Sequence, residues 1–251
     1  MQTMSLAACL ACAVSGAVSG AAMAQDESGY PEVEYPRLPA HGASVAAFVP
    51  KGWRIEFQPS GDLDKDRRDD VVLVLRMDDP ANIIENDSLD VSAFDTNPRL
   101  LAVLLAEPAG GYRLAVQDHA LIPRPDNPVM DDYLDGEDAV IVRRGAFTVR
   151  LHSWASAGSW YTGNTTLTFR LQDGCFRLIG YDSSGLHRGS GETWKTSINL
   201  ATGKAEFENG SIEHDEVQRK SQAFPRRELP CLDRVGSGFE YDPGVKSPFG
   251  G

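Results

Sequence analysis

The sequence predicts a mostly β protein built from antiparallel sheets, closing as a sandwich, a barrel or a propeller-like fragment. Three observations carry that expectation. Short runs rich in β-branched and aromatic residues recur along the chain, some alternating with polar partners and some continuously apolar. Segments bearing Gly, Pro, Asn and Asp separate these runs, as strand reversals require. No segment holds a 3.6-residue apolar period over three turns; the nearest, residues 91–105, is interrupted by Asn97-Pro98, and a residue before proline is driven out of the helical region.

Taken in order, residues 25–42 carry Pro31, Pro36 and Pro39 among acids and lack any period, which reads as an extended lead-in. Ser44 to Val49 and Trp53 to Phe57 read as short strands divided by Pro50-Lys51-Gly52, with Trp53, Ile55 and Phe57 on one face. Val71 to Leu75 is an unbroken apolar run of strand length, and its β-branched content favours a buried strand over a helical turn. Leu100 to Ala106 and Tyr112 to Ala120 form a hairpin around Pro108, Gly110 and Gly111. The acidic stretch 123–138 is the one candidate boundary within a β-rich body spanning 43–224, and its acids read as a solvated linker. Strand signals then resume at Ala146 to Trp154, Thr165 to Leu171, Cys175 to Tyr181 and Trp194 to Leu200. Within the second of these, Thr166, Thr168 and Arg170 alternate with Leu167, Phe169 and Leu171, as in a sheet wet on one face. Gln172-Asp173-Gly174 supplies a tight turn, and Asn199 to Lys204 a hairpin end leading to Ala205 and Phe207. Asp182-Ser183-Ser184-Gly185 and Arg188-Gly189-Ser190-Gly191 read as polar loops, and 225–251 as an irregular tail.

The charge balance, 36 Asp and Glu against 24 Lys and Arg for a net of -12, argues against nucleic acid as a partner. Residues 1–24 carry no charge and end in Ala22-Met23-Ala24 before Gln25-Asp26-Glu27, the shape of a signal peptide and its cleavage site. The absence of Lys or Arg before its apolar region makes that signal atypical, and Leu6-Ala7-Ala8-Cys9 has the look of a lipobox. A periplasmic or secreted location is the expectation. In the mature chain Cys175 and Cys231 remain, and an oxidising compartment favours a disulfide between them. No later segment has 18 uncharged apolar residues in a row, so no membrane span is expected.

The sharpest chemical signal precedes Val71. Gly61-Asp62-Leu63-Asp64-Lys65-Asp66-Arg67-Arg68-Asp69-Asp70 sets carboxylates at alternating positions of a short loop. A hard cation needs six to eight oxygens at about 2.3–2.6 Å, and such spacing brings several to one point. The loop resembles the calcium loops of the FG-GAP and VCBS repeat families, and those of dockerins and EF-hands. The resemblance covers this loop and the strand after it. It implies Ca2+ held by Asp62, Asp64, Asp66, the Arg68 carbonyl and Asp70, in loops that act as structural clips, often in propellers tied to adhesion or carbohydrate association. Those families place Gly at the sixth loop position, where this chain has Arg67; a side chain there costs roughly 1–2 kcal/mol in a left-handed backbone. A metal-free turn, with arginines neutralising the carboxylates, is the other reading. The rest of the body resembles exported proteobacterial proteins, which adds a compartment and no mechanism.

Signals of catalysis are absent from the motifs. The histidines, His41, His119, His152, His187 and His214, are scattered, and no HExxH, GxSxG or P-loop occurs. His152 and Ser159 form a base and nucleophile only if the fold joins them. Trp154, Trp160, Tyr161, Tyr181 and Trp194 cluster in the second half, as core or as a surface for glycan or an envelope protein. The leading expectation is an exported, non-catalytic β protein with a structural calcium loop and a recognition or scaffold role. The alternatives are an inhibitor or immunity partner of a cell-envelope hydrolase, and a hydrolase with paired acids drawn from remote loops.

Overall fold

The computed structural model describes residues 30–85 and 93–249. The chain divides into two units, Met1–Glu32 and Val33–Gly251, and the fold belongs to the second. The expected leader and its cleavage site lie outside the described residues, as does Cys9. About 49% of the chain is strand and 5% helix, which establishes the mostly β class.

The first half supplies β1 (His41–Gly42), β2 (Trp53–Phe57), β3 (Ser60–Gly61), β4 (Asp70–Met77), β5 (Ile83–Glu85), β6 (Ala93–Asp95), β7 (Arg99–Ala106) and β8 (Tyr112–Asp118). One antiparallel sheet runs β1-β8-β7-β4-β2, with β3 also on β4, while β5 and β6 form a separate hairpin. The second half is a meander of β9 (Val140–Arg143), β10 (Ala146–Ser153), β11 (Tyr161–Gln172), β12 (Cys175–His187), β13 (Glu192–Asn199), β14 (Lys204–Ser211) and β15 (His214–Ala223). Each strand pairs with its sequence neighbour, giving a seven-stranded sheet that curls as a half-barrel.

The apolar runs of β4 and β7 explain how the layers stack. Val72 and Val74, with Leu101, Val103 and Leu105, pack toward Phe147, Val149, Leu167, Phe169 and Phe207 of the meander. The alternate residues Val71, Leu73, Leu75, Leu100, Ala102 and Leu104 pack the other way, against Leu38, Phe48 and Trp53. Both strands therefore carry apolar runs buried on two faces, where a half-wet strand would alternate. The meander packs mainly near its turns at 172–175 and 199–204. Toward the other end the same face continues as Tyr161, Gly163 and Thr165 beside His187, Gly185 and Ser183, then Trp194 and Thr196.

Several expectations need correction. Ser44 to Val49 is no strand: Val45–Phe48 is a 3-10 turn, closed by Ala47 N–H to Ser44 O and Val49 N–H to Ala46 O. This local closure drives the fully buried Phe48 ring onto the central sheet, so the segment serves as a plug. Asp182 to Gly185 is no loop, since β12 continues through it with Ser183 opposite both Thr165 and Thr196. Along 123–138 the acids are exposed, but Tyr133 and Leu134 between them are buried, and Tyr133 meets Phe239 edge-on at 5.1 Å, so the stretch is fastened to the body. In the tail Leu232 is buried, and the sulfurs of Cys175 and Cys231 stand at disulfide distance, 2.02 Å, as the sequence leads one to expect.

Arg76 and Arg99 face each other across β4 and β7, a like-charge pairing that is unfavourable on its own. Carboxylates from three other segments resolve it. Arg99, whose side chain is 0% exposed, donates to Glu56 through Nε (2.6 Å) and Nη2 (2.9 Å), and to Asp132 through Nη2 (2.7 Å). Arg76 donates to Glu56 (3.3 Å), Asp132 (3.1 Å) and Asp95 (2.9 Å). Burial alone would push the Asp132 carboxyl up, but its bonds to Arg99, with help from Arg76 and the Leu134 N–H, hold it below the ordinary carboxylate range.

A folded value below the unfolded one means that Asp132 stabilises the fold above the ordinary Asp range and that this contribution is lost as pH falls through the folded value. Replacing Arg99 by Met is expected to destabilise the protein by about 3 kcal/mol in urea unfolding, because it takes from Glu56 and Asp132 their closest charged partner and leaves them only the longer bonds to Arg76. It also makes stability fall less steeply on acidification; parallel pH curves for parent and variant would reject this account. Reducing the Cys175–Cys231 bridge, which spans 56 residues, is expected to lower stability by up to about 4 kcal/mol on the chain-entropy model, read from paired unfolding curves.

Candidate metal centre

The acidic loop is the connection between β3 and β4, pinned at its base where Gly61 stands opposite Asp70. One ligand atom from each of Asp62, Asp64 and Asp70 lies within 4.8 Å of the other two. Oxygens at about 2.3–2.6 Å from a common ion fall within such a separation, so these three carboxylates can hold a metal ion. Carbonyl groups and water would supply the remaining oxygens of a six- to eight-coordinate site.

Backbone conformation produces the convergence. Lys65 and Arg67 both adopt left-handed φ, 70° and 69°. Arg67 therefore holds a left-handed backbone that favours glycine, and its side chain is strained there. These two residues fold the loop around Asp62, whose Oδ1 accepts the N–H groups of Lys65 (2.6 Å) and Asp66 (3.1 Å), and whose Oδ2 accepts that of Arg67 (3.1 Å). Asp64 accepts from Asp66 N–H at 3.2 Å.

Asp70 is the buried member. Its Oδ2 accepts the Leu63 N–H (2.8 Å) and its Oδ1 the Ala106 N–H (2.9 Å), tying the loop to the end of β7. Burial pushes its carboxyl above the ordinary range and the nearby Asp64 charge adds to this, while the two N–H donors oppose it. Without a cation, Asp70 therefore favours the fold below the ordinary Asp range, and that preference is lost as pH rises through the folded value. A bound cation favours the ionised carboxylates instead.

Asp66, another expected ligand, is placed differently. Asp66 turns to Arg68, accepting from both its backbone N–H (2.8 Å) and its guanidinium, and it is outside the convergent group. The Arg68 guanidinium also donates to Ala106 O through Nε (3.2 Å). Asp69 is exposed. The loop thus combines a convergent triad with one arginine-neutralised carboxylate. Among the described residues no second acidic group of this kind occurs, at 131–138 or elsewhere.

His152 and Ser159 are each bonded to other partners. His152 Nδ1 contacts Asn164 across β10 and β11 (3.3 Å), while Ser159 accepts the Tyr161 N–H (3.1 Å). The aromatic cluster divides: Trp160 and Tyr161 are 65% and 61% exposed, Trp154 and Trp194 are partly covered, and Tyr181 packs against the core. Tyr161, His187, Trp194, Thr196, Asn209 and Phe249 line a groove of about 580 Å³ on the overhanging meander. Gly185 lies beneath the Trp194 ring, where a Cβ would come within 2.2 Å of it. Glu192 and Glu208 border the same groove, but strand alternation sends them to opposite faces, because Glu192 lies in phase with Trp194 and Glu208 opposite Lys195. They do not form the convergent acid pair that glycoside hydrolysis uses.

Sequence reasoning missed the Arg99 network and the Asp70 anchor. Their signals were Arg99 opening an otherwise apolar strand, and Asp70 directly before Val71. Comparison with protein-family models, curated proteins and solved structures finds no match for this chain. Among the described residues no helix is long and apolar enough to cross a membrane.

Asp70→Ala is expected to destabilise by about 2–4 kcal/mol in calcium-free urea unfolding, since the Leu63 and Ala106 N–H groups lose their acceptors. Asp69→Ala should stay within about 0.5 kcal/mol of the parent. Equal effects would show that Asp70 does not anchor the loop.

Proposed function

We propose that the protein is an exported, non-catalytic β scaffold whose loop between β3 and β4 is clipped by one calcium ion. The observation that carries this reading is the convergence of Asp62, Asp64 and Asp70 within 4.8 Å at the entry to the most deeply buried strand pair. The left-handed Lys65 and Arg67 support it, because backbone strain held at two nearby positions produces that convergence. Calcium fits the all-oxygen, carboxylate-rich donor set and tolerates the irregular geometry better than magnesium, which demands a near-ideal octahedron. Export rests on the uncharged leader ending in Ala22-Met23-Ala24 and on the paired cysteines of the body. The role is recognition or scaffolding, with the aromatic groove of the meander as the surface offered to a glycan or envelope protein.

Calorimetry tests the metal assignment. Calcium at about one hundred times its dissociation constant should raise the melting temperature by roughly 5 °C or more. Asp62→Ala and Asp64→Ala should remove that shift while leaving the calcium-free protein folded. A melting curve indifferent to saturating calcium leaves the arginine-neutralised turn as the correct reading.

A further inference from the structure

β15 is the outer strand of the seven-stranded sheet. β14 pairs one of its edges, and among the described residues no strand pairs the other. It is ten residues long, lacks proline and is exposed at every position except Gln222. Such a strand presents a row of unpaired backbone donors and acceptors, which natural sheets ordinarily shorten, kink or block. The register shift it carries lies toward the hairpin end, between Asn209 and Ser211, and the run opposite 204–209 is regular.

Its charges are ordered. Asp215 and Glu216 precede the uncharged pair Val217-Gln218, and Arg219 and Lys220 follow. Set antiparallel against a copy of itself, the acidic half of each strand lies on the basic half of the other; an in-register parallel pairing would stack like on like. Strand alternation restricts a two-fold antiparallel pair to registers centred on a residue, because facing side chains must share one side of the sheet. Centring on Val217 pairs Asp215 with the second copy's Arg219 twice over. It also places Val217, 41% exposed, against its counterpart.

The other face of the strand is already engaged. Lys220 donates to Pro248 O and stands 4.5 Å over the Phe249 ring, and Gln222 donates to Lys246 O. Asp215, Val217 and Arg219 lie on the opposite side from these contacts. Arg219 meets Glu208 at 3.0 Å, but that pair is solvent-exposed and contributes little by itself.

We propose that β15 is a self-association edge: two copies join β15 to β15 antiparallel about Val217, extending both meanders into one continuous sheet. The inference is independent of the calcium assignment. Sedimentation equilibrium of the protein over a concentration series should show reversible association to twice the monomer mass, weakening as salt is raised. Asp215→Arg and Arg219→Asp, each alone, should weaken dimerisation by about tenfold or more, because each sets like charges across the two-fold. Mixing the two variants should restore a dimer of near-parental affinity. In that mixed dimer the two substituted positions face each other with opposite charges, and the parental Asp215–Arg219 pair survives on the other side of the two-fold; a variant that merely misfolds cannot do this. A parent that stays monomeric at every concentration overturns the proposal. So does a dimer that ignores both reversals, or a mixture no tighter than its components.

Discussion

The fold depends on burying β4 and β7 on both faces. Two strands with apolar residues pointing both ways cannot end a structure on either side, so each face must be given a cover. The meander supplies one through Phe147, Phe169 and Phe207, and the segment before β2 supplies the other through Leu38 and Phe48. The charged groups that this pair retains sit at strand ends. Asp70 opens β4, Arg76 lies near its close, and Arg99 opens β7. Each is bonded to partners from other segments, as burial of charge requires. The Arg99 network and the Asp70 anchor are therefore consequences of one demand: the charged ends of a doubly buried strand pair need counter-groups brought in from elsewhere.

That arrangement bears on the candidate metal centre. Asp70 already accepts two backbone N–H groups, and Asp62 accepts three. The loop is thus organised by its own hydrogen bonds, and an ion would act on a preformed cluster. The division of labour among the carboxylates follows from position. Asp70 is fixed by the core, Asp62 by the left-handed turn, and Asp66 by Arg68, which withdraws it from the cluster.

Much of the packed half was legible in the sequence. The runs at Val71 and Leu100 announce buried strands, and the alternation around Leu167 announces one wet face; both patterns arise directly from which atoms meet water. The overhanging half was less legible for the same reason. From Asp182 to Gly185 and along most of β15 both faces are polar, so no hydrophobic pattern marks the strand, and main-chain pairing sustains it. Ser44 to Val49 misled in the opposite way, its apolar residues serving as a plug where they suggested a strand. In the acidic loop the spacing located the cluster, but the rotamer that pairs Asp66 with Arg68 is a three-dimensional choice that spacing does not encode.

The two sheets differ in how far along the chain their partners lie. Every pairing from β9 to β15 is between consecutive strands, so each hairpin closes a short loop with little loss of chain entropy. The first sheet instead brings His41 beside Arg113 and threads β4 between β2 and β7. The C-terminal half is consequently the topologically local part of the molecule, able to assemble by successive zipping, while the N-terminal sheet must search for distant strands. A nascent chain emerging amino end first thus carries its slow-pairing strands into solution before the template that covers them exists.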